Sequence, residues 1–280
     1  MIVENKSNNA IISRIILVII VLVFALIMIF PFIWMVSTSL KDNQSIFTWP
    51  PQVIPHSVHF SNFKTALTIV PFGRFFLNSL IVTVAITFST LFIDSLAGYV
   101  FAKFNFTGRT PLFYILLASY MVPIQSIVIP IYQIIRTLGW NNTYWALIIP
   151  NVSGPLTIFL MRQFIMSIPD ELIEAARVDG MKEFMIFRKI ILPCSIPALT
   201  TLVIFQVKYH WNDYFWPLIM TNSTKMKTVQ LGLAYFNGQT FTQWNLLMAA
   251  VLTAILPVIV LFLLLQRYFI EGVTMSGIKG

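Results

Sequence analysis

The stretch that decides the fold runs from Ser167 to Pro197 and reads SIPDELIEAARVDGMKEFMIFRKIILPCSIP. It is the most charged segment of an otherwise apolar chain. Ser167, followed at the third position by Asp170 with Pro169 between them, predicts a capping box that opens a helix. Gly180 is expected to end this helix, because glycine adopts the positive φ values of a helix C-terminus at little cost.

A second helical run is predicted over Lys182 to Ile191, which is basic and aromatic. Pro193 and Pro197 are expected to stop it, because proline interrupts helical hydrogen bonding. In the first helix, the small side chains of Ala175 and Ala176 leave one face without bulk, so that another protein surface could approach the helix closely. The stretch therefore predicts a bent pair of short, water-exposed helices between two segments that are apolar enough to cross a membrane.

The composition is that of a membrane protein. Of 280 residues, 58% are hydrophobic and only 10% are charged, with a mean hydropathy of +0.82. Soluble domains carry about 25% charged residues. The net charge of +8 does not indicate nucleic-acid binding, because the basic residues are dispersed among loops. The single cysteine, Cys194, excludes an intramolecular disulfide.

The hydropathy pattern predicts six membrane-spanning helices and therefore an all-α fold. The predicted spans are residues 15–36, 75–101, 111–135, 144–161, 198–220 and 244–266. Pro123 and Pro130 are expected to break the third span, and the fourth contains Pro150, Gly154 and Pro155. In lipid the freed backbone groups need neighbouring helices or a water-lined cavity, so these spans indicate either a solute pathway or kinked packing helices.

The distribution of lysine and arginine predicts the orientation. Six spans place both termini on one side, where eleven of the basic residues fall, against six on the other and Lys208 within the fifth span. By the positive-inside rule, the termini and the stretch 167–193 are expected in the cytoplasm.

Glu174-Ala175-Ala176, then Gly180, then Ile190-x-Leu192-Pro193 resembles the EAA loop of ABC importer permeases, with every element at the family's spacing. Residues 167–193 are called the EAA-like loop below. In that family the loop forms coupling helices that dock on the ATPase subunits. The alternative is a solvated loop whose charges only set the topology.

The resemblance implies particular roles. Glu174 would be a polar anchor and a loop-bracing charge, Ala175 and Ala176 would permit close approach, and Gly180 would form the bend. The whole implied coupling set is Glu174, Ala175, Ala176, Asp179, Gly180, Leu192 and Pro193.

The fifth span carries the sequence YHWNDYFWPL at 209–218. Aromatic faces beside amide and carboxylate groups suit sugar rings, whereas the alternative is an aromatic belt at the outer membrane interface. The run W-N-D-Y-x-x-P-L resembles the maltose-type permeases of carbohydrate uptake, as do LAGY at 96–99, VQLGL at 229–233 and QRYF at 266–269. The predicted substrate pathway is Asp94, Gln125, Trp211, Asn212, Asp213 and Tyr214.

Asp94 departs from that family, in which a small or hydroxyl residue is expected. An acid here could line the pathway, pair with Lys208, or pair with a partner subunit. The sequence does not distinguish between these three roles.

Two further segments have predicted contacts. The loop 221–243 is expected to face outward and to touch a solute-binding protein through Gly232, Asn237 and Gly238, which also indicate turns. The tail 268–280 is small and flexible. The resemblance implies that it inserts between two ATPase subunits, whereas the alternative is a frayed terminus.

No glycine is followed by lysine, so the chain has no phosphate-binding loop of the G-x-x-x-x-G-K-[ST] type. His56 and His59 have no third ligand nearby in the sequence, which disfavours a metal site. His210 has no evident nucleophile to activate. We therefore expect a non-catalytic chain that binds no cofactor, with ATP and Mg²⁺ used by a partner ATPase.

The sequence thus resembles a permease subunit with a type I ABC importer permease fold, in an ATP-driven, binding-protein-dependent importer of sugars or oligosaccharides. The resemblance implies a second permease subunit, two ATPase subunits and an extracytoplasmic solute-binding protein, in the bacterial inner membrane, with lipid around the spans and no nucleic acid. Glycerol-3-phosphate or a polyol is the alternative substrate, and an intramembrane enzyme or a passive channel is the alternative class.

Three domains are expected: an arm, first helix and outer segment at 1–72, a five-helix core at 73–267, and the tail.

Overall fold

The computed structural model describes residues 3–236 and 242–277, and the side chains of 13–236 and 242–266. Within these ranges the regular structure consists of helices, which confirms the all-α prediction. The helices are α1 (Val3–Ser39), α2 (Ser61–Ile69), α3 (Phe72–Lys103), α4 (Arg109–Tyr120), α5 (Ile124–Thr137), α6 (Tyr144–Ile148), α7 (Pro155–Met166), α8 (Asp170–Val178), α9 (Glu183–Ile186), α10 (Leu192–Cys194), α11 (Ile196–Trp211), α12 (Phe215–Met220), α13 (Val229–Leu233) and α14 (Trp244–Gly277).

Six stretches are long and apolar enough to cross a membrane if each bent helix pair counts as one span, in agreement with the predicted six. Three are single helices: Ser13–Ser39, Phe72–Lys103 and Trp244–Gln266. Three are bent pairs: α4 with α5 at 97°, the Tyr144–Asn151 segment with α7 at 41°, and the Glu183–Cys194 segment with α11 at 78°.

The bends occur where the sequence limits helical hydrogen bonding. Pro123 is extended before α5, with φ −60° and ψ 131°, and it separates α4 from α5. Pro130 lies inside α5 without ending it, so of the two prolines expected to break the third span only Pro123 does so. Gly154 is extended before α7, with φ −140° and ψ 130°.

Two predicted boundaries around the fifth span are wrong. Pro193 does not stop a helix; it lies in α10, which continues without interruption from a π-helical turn at Phe187–Ile191. The bend comes two residues later, at Ser195. The predicted helix 198–220 is interrupted, because α11 ends at Trp211 and helical structure resumes with α12.

The chain divides into two compact units. The first comprises Met1–Val70 and Tyr235–Thr253. Within it the Asn62 side chain donates to the carbonyls of Ser39 (2.9 Å) and Lys41 (2.8 Å), and its own oxygen accepts from Asn245 at 3.3 Å. Lys41 is 2% exposed and lies 4.6 Å from the Trp34 ring centroid. Burial lowers the pKa of Lys41.

The second unit comprises Pro71–Ala234 and Ala254–Gly280 and contains two apolar clusters. The first cluster joins α3, α7, α11 and the EAA-like loop; it consists of Tyr99, Met161, Ile165, Ile168, Ile173, Ala176, Ile186, Phe187, Ile191 and Leu202. The second joins α3, α5, α6 and α12; it consists of Val82, Ile86, Val128, Ile135, Ala146, Leu147, Trp216, Met220 and Met226. The long helix α3 contributes to both clusters and organises the unit.

Candidate functional site

A cavity of about 1030 Å³ lies within the second unit. One wall is the break before α7, with Asn151, Ser153 and Gly154. The other is the stretch from the last turns of α11 to the start of α12, residues 205–215. The cavity is therefore built at the two places where spans are interrupted, as expected when freed backbone groups face a cavity instead of lipid.

Polar side chains cross one wall of the cavity as a continuous chain. Gln206 Nε2 donates to Thr157 Oγ1 at 2.8 Å, and His210 Nε2 lies 3.0 Å from Gln206 Oε1. Neither Thr157 nor Gln206 was among the predicted pathway residues. The available signal was a pair of polar residues, each within an apolar span.

The residues between α11 and α12 are held by hydrogen bonds of their own. Asp213 Oδ1 accepts the backbone N–H of Trp216 at 3.1 Å, as an N-cap residue does. Asn212 Oδ1 accepts from Gln230 Nε2 at 3.2 Å, and Asn212 Nδ2 donates to the Lys208 carbonyl at 2.7 Å. The break is thus a defined turn that presents Asn212, Asp213 and also Tyr214 to the cavity.

The other predicted pathway residues do not line this cavity. Trp211 is 3% exposed, its indole N–H donates to the Ala254 carbonyl at 2.9 Å, and its ring packs edge-on to Phe76. Gln125 is exposed in the first turn of α5, outside the cavity lining. Asp94 is fully buried and lies one layer behind the wall, where it bonds Ser153 and Gly154. Transport through this cavity stays a prediction.

The EAA-like loop forms the bent helix pair that the sequence predicted. Gly180 has φ +78°, in the left-handed region. Its N–H donates to the Arg177 carbonyl, and Met181 N–H donates to the Ala176 carbonyl, both at 3.0 Å. These two bonds form a Schellman motif, which ends α8 at the predicted glycine.

The predicted capping box is wrong. Helix α8 begins at Asp170, as expected, but its N-cap position is Pro169 and no side chain caps it. The Ser167 hydroxyl donates instead to the Phe164 carbonyl at 2.7 Å and so belongs to the end of α7.

The loop is braced to the end of α3 by the side chains of Lys103 and Tyr99. Lys103 Nζ donates to the Ile168 carbonyl at 2.5 Å and to Asp170 Oδ1 at 2.6 Å. Tyr99 OH donates to Glu183 Oε2 at 2.8 Å, and Arg177 Nε donates to Glu183 Oε1 at 2.7 Å. The bond to Glu183 raises the pKa of Arg177.

Glu174 takes no part in this bracing. It is exposed, and within the described side chains it has no hydrogen bond or ion pair. The bracing role that the resemblance implied for Glu174 is therefore wrong in this structure, where Asp170 and Glu183 perform it. The proposed role of Glu174 as an anchor for another subunit stays a prediction.

The exposed face of α8 is formed by Glu171, Glu174, Ala175 and Val178, and the last is 87% exposed. Asp179 and Gly180 follow it and are also exposed. Ala176, by contrast, is 4% exposed and packs in the protein's own core, because it lies on the opposite side of the helix. Close approach of another protein is thus a prediction for Ala175 alone.

The last two residues of the predicted coupling set lie at the end of the loop. Leu192 is partly buried and packs against the first apolar cluster. Pro193 is exposed in α10. The packing of Leu192 fixes the second half of the loop against the core.

The loop after α12 is held against α3 by hydrogen bonds to its backbone carbonyls. Asn78 donates to the carbonyls of Lys225 (2.9 Å) and Lys227 (2.8 Å) and accepts from Tyr144 OH at 2.6 Å. Gly232, expected in a turn, lies inside α13 and is buried; a Cβ there would meet the Phe75 ring at 2.4 Å. It therefore presents no surface to a protein partner.

Two predicted contact regions fall wholly or partly outside the described residues. Asn237 and Gly238 are among residues 237–241, which the structure does not describe. The tail prediction concerns residues 268–280; the backbone of α14 is helical through Gly277, beyond the predicted end of the sixth span at 266, and the side chains are not described.

In the part of the chain that the structure describes, no group of three or more His, Cys, Asp or Glu side chains is arranged to hold a metal ion. His59 Nε2 lies 3.0 Å from Ser57 Oγ, a local contact within the outer segment.

The fold is that of the type I ABC importer permeases. A chain of a bacterial ABC transporter involved in the import of the acidic polysaccharide alginate superposes with a TM-score of 0.82 at 23% identity, covering 92% of this chain and 96% of that chain. The chain belongs to the family of binding-protein-dependent transport system inner membrane components, whose sequence model matches residues 94–274. It is therefore a multi-pass membrane subunit of a transport system.

Relatives extend the match beyond that region. The probable ABC transporter permease protein YurM of Bacillus subtilis is 36% identical, over 90% of this chain and 84% of its own. The arabinooligosaccharides transport system permease protein AraQ of Halalkalibacterium halodurans is 33% identical, over 91% and 93%. The sn-glycerol-3-phosphate transport system permease protein UgpE of Pectobacterium atrosepticum is 32% identical, over 98% and 99%.

Proposed function

We propose that this chain is a permease subunit of an ATP-driven importer of sugars or oligosaccharides, in which the EAA-like loop passes ATPase movement to the cavity. The observation that carries the proposal is the apolar cluster between the two sites. Ile186 and Phe187 of the loop pack with Met161 of α7 and Leu202 of α11, and Leu202 also lines the cavity. Because packed cores transmit displacement as rigid units, movement of the loop would shift both cavity walls.

The chemistry of the cavity supports a carbohydrate substrate. Tyr120, Tyr209 and Tyr214 offer aromatic faces, and Gln206 and Asn212 offer amide groups. Sugar rings present apolar C–H faces and several hydroxyl groups, which this combination suits. The name of AraQ supports the same class, whereas the name of UgpE makes glycerol-3-phosphate the second candidate.

The partners follow from the same proposal. A second permease subunit would complete the pathway, two ATPase subunits would bind ATP and Mg²⁺ and dock on the exposed face of α8, and an extracytoplasmic binding protein would deliver the solute. Both termini would lie in the cytoplasm, in keeping with the excess of lysine and arginine on that side.

The test is uptake by proteoliposomes that contain the whole transporter with its binding protein. We expect ATP-dependent uptake of labelled arabinotriose or galactotriose. Glu174→Lys should abolish most of this uptake and the substrate-stimulated ATPase activity, because it reverses a charge on the docking face. Folding and membrane insertion of this subunit should be intact, since Glu174 has no partner within the described side chains.

Asp42→Lys provides the control, because it reverses a charge that is also exposed but lies outside the EAA-like loop. It should leave uptake within about twofold of wild type, as expected of a surface substitution. Uptake of glycerol-3-phosphate without either trisaccharide would assign the second candidate. Full stimulated ATPase activity in Glu174→Lys would contradict the coupling role.

A further inference from the structure

Among the described side chains, Lys208 is the one lysine or arginine that lines the cavity. It lies near the end of α11, in a candidate membrane span, and its side chain is exposed to the cavity. A charged side chain in a span is costly unless it has a counter-charge or meets water, and such residues mark solute or ion pathways.

Within the described side chains, the Lys208 ammonium has no hydrogen bond and no ion pair; the Asn212 side chain bonds the Lys208 carbonyl, not its ammonium group. The nearby acidic groups are already occupied. Asp213 accepts the backbone N–H groups of Trp216 and Phe215. Asp94 accepts from Ser153 and Gly154 behind the wall. The two ion pairs found in this part of the chain both involve the EAA-like loop.

The cavity thus combines a free cation with aromatic and amide groups. From this we infer that Lys208 binds an anionic group of the transported solute, such as the carboxylate of an acidic sugar or a phosphate. This inference rests on the proposed import function and narrows its substrate class to negatively charged carbohydrates or carbohydrate derivatives.

The three ammonium N–H donors of lysine form short, charge-assisted hydrogen bonds to anionic oxygen, and these are stronger than bonds to neutral hydroxyls. The volume of about 1030 Å³ lies at the upper limit of small-molecule pockets, which run from about 300 to 1,000 Å³. It therefore has room for an acidic oligosaccharide, and a three-carbon phosphate would fill only part of it.

The test compares substrates that differ only in charge. α-1,4-linked trigalacturonate and galactotriose have the same ring stereochemistry and differ at C6, which is a carboxylate in one and a hydroxymethyl group in the other. Glycerol-3-phosphate and glycerol form the corresponding phosphate pair. Uptake rates are measured in proteoliposomes with the complete transporter and saturating binding protein.

We expect Lys208→Gln to lower the uptake rate of the charged substrate about tenfold, which is the loss of one charge-assisted bond. The neutral counterpart should change by less than about twofold, and Lys208→Arg should retain most of the uptake because it keeps the charge. Lys64→Gln, an exposed lysine on α2 outside the cavity, is the matched control and should behave as wild type.

The outcomes separate the alternatives. Selective loss of trigalacturonate uptake assigns a carboxylate, and selective loss of glycerol-3-phosphate uptake assigns a phosphate. Equal loss for charged and neutral substrates would overturn the inference, as would wild-type import of galactotriose without import of trigalacturonate or glycerol-3-phosphate; in the latter case the proposed function stands. Import of arabinotriose with none of the four probes would likewise overturn the inference and leave the proposed function standing. Import of a solute that is not a sugar, with neither arabinotriose nor any of the four probes, would refute the proposed function itself.

Discussion

The carboxylate of Asp94, on α3, accepts the backbone N–H of Gly154 at 3.0 Å and so caps α7 from a different helix. Its other oxygen accepts from the Ser153 hydroxyl at 2.5 Å. One turn earlier on α3, Thr90 donates to the Asn151 carbonyl at 3.2 Å. A negative charge at a helix N-terminus is favourable, and here it also fixes the break that forms a cavity wall. Of the roles left open for this acid, pairing with Lys208 is not observed.

Asp94→Leu should destabilise the protein by about 1–3 kcal/mol, because it removes the charged acceptor of the hydrogen bonds from Ser153 and Gly154. Asp94→Asn should retain most of the stability, since its side-chain oxygen can still accept from Gly154. The measurement is the midpoint of thermal unfolding in detergent.

Gly154→Ala is a useful control for Asp94. A Cβ at Gly154 would lie 3.7 Å from Thr157 Oγ1 and 4.0 Å from Asp94 Oδ2, ordinary contact distances, and the N–H would remain. It should unfold close to the wild-type temperature. If Asp94→Leu is as stable as wild type, the capping role of Asp94 is refuted.

Gly98 lies at a close approach between α3 and α7. A Cβ there would lie 2.8 Å from Met161 Cβ and 3.0 Å from Arg162 N, and neither atom can move without its backbone. Gly98→Ala should therefore push the helices apart and cost about 1–3 kcal/mol by overpacking.

Gly73→Ala, in the first turn of the same helix, is the comparison for Gly98→Ala. No atom lies within 4 Å of a Cβ at Gly73. Since alanine is the better helix former, this change should be neutral or stabilising by up to about 1 kcal/mol. Equal unfolding midpoints for both alanine variants would show that the crossing tolerates a methyl group.

Tyr99 and Glu183 join α3 to the second half of the EAA-like loop. Tyr99→Phe removes only the hydroxyl and leaves the ring packed against Phe187 and Phe104, with centroids at 5.9 and 5.3 Å. A hydrogen bond to a charged group contributes about 1.5–3 kcal/mol. We expect Tyr99→Phe to lower stability near the lower end of this range, because Glu183 is partly exposed.

A double-mutant cycle with Glu183→Gln measures the contact between Tyr99 and Glu183 directly. The second substitution should cost clearly less in the background of the first, because the shared bond can be lost only once. Strictly additive losses of stability would mean that the two side chains do not interact in solution.

The sequence predicted best where the signal is local. The end of α8 at Gly180 depends on one residue's φ preference, and the six spans depend on composition over about 20 residues. The capping box at Ser167 failed although its spacing was correct, because the hydroxyl bonds back to the preceding helix. Local capping signals do not decide which of two neighbouring helices receives the bond.

The cavity could be predicted only in part because its residues are brought together by long-range contacts. Asp94 and Gly154 are 60 positions apart, and Gln206 and Thr157 are 49 apart. Trp211 and Asn212 are adjacent, yet one is buried and the other faces the cavity, because the helix ends between them. The prediction that Glu174 braces the loop was wrong for a similar reason. The acid that bonds Tyr99 is Glu183, and this contact joins residues that are 84 positions apart.

The bend of the EAA-like loop can be tested at Gly180, which has φ +78° and no atom within 4 Å of an added Cβ. A larger residue at this position would therefore be strained by the backbone conformation and would not clash with neighbouring atoms. Valine in the left-handed region costs about 1–2 kcal/mol, whereas asparagine adopts it more readily. Gly180→Val should lower uptake severely while the protein still assembles, and Gly180→Asn should transport at close to the wild-type rate.

Gly139 offers a matched control for Gly180. It follows α5, has φ +69° and likewise has no atom within 4 Å of an added Cβ. Gly139→Val should therefore lower the unfolding midpoint by a similar amount without uncoupling ATP hydrolysis from uptake, because it lies outside the EAA-like loop. The readout is uptake per ATP hydrolysed in proteoliposomes, measured beside the unfolding midpoint. If the two valine variants lose uptake equally, the loss reflects stability, and the bend at Gly180 has no particular role in coupling.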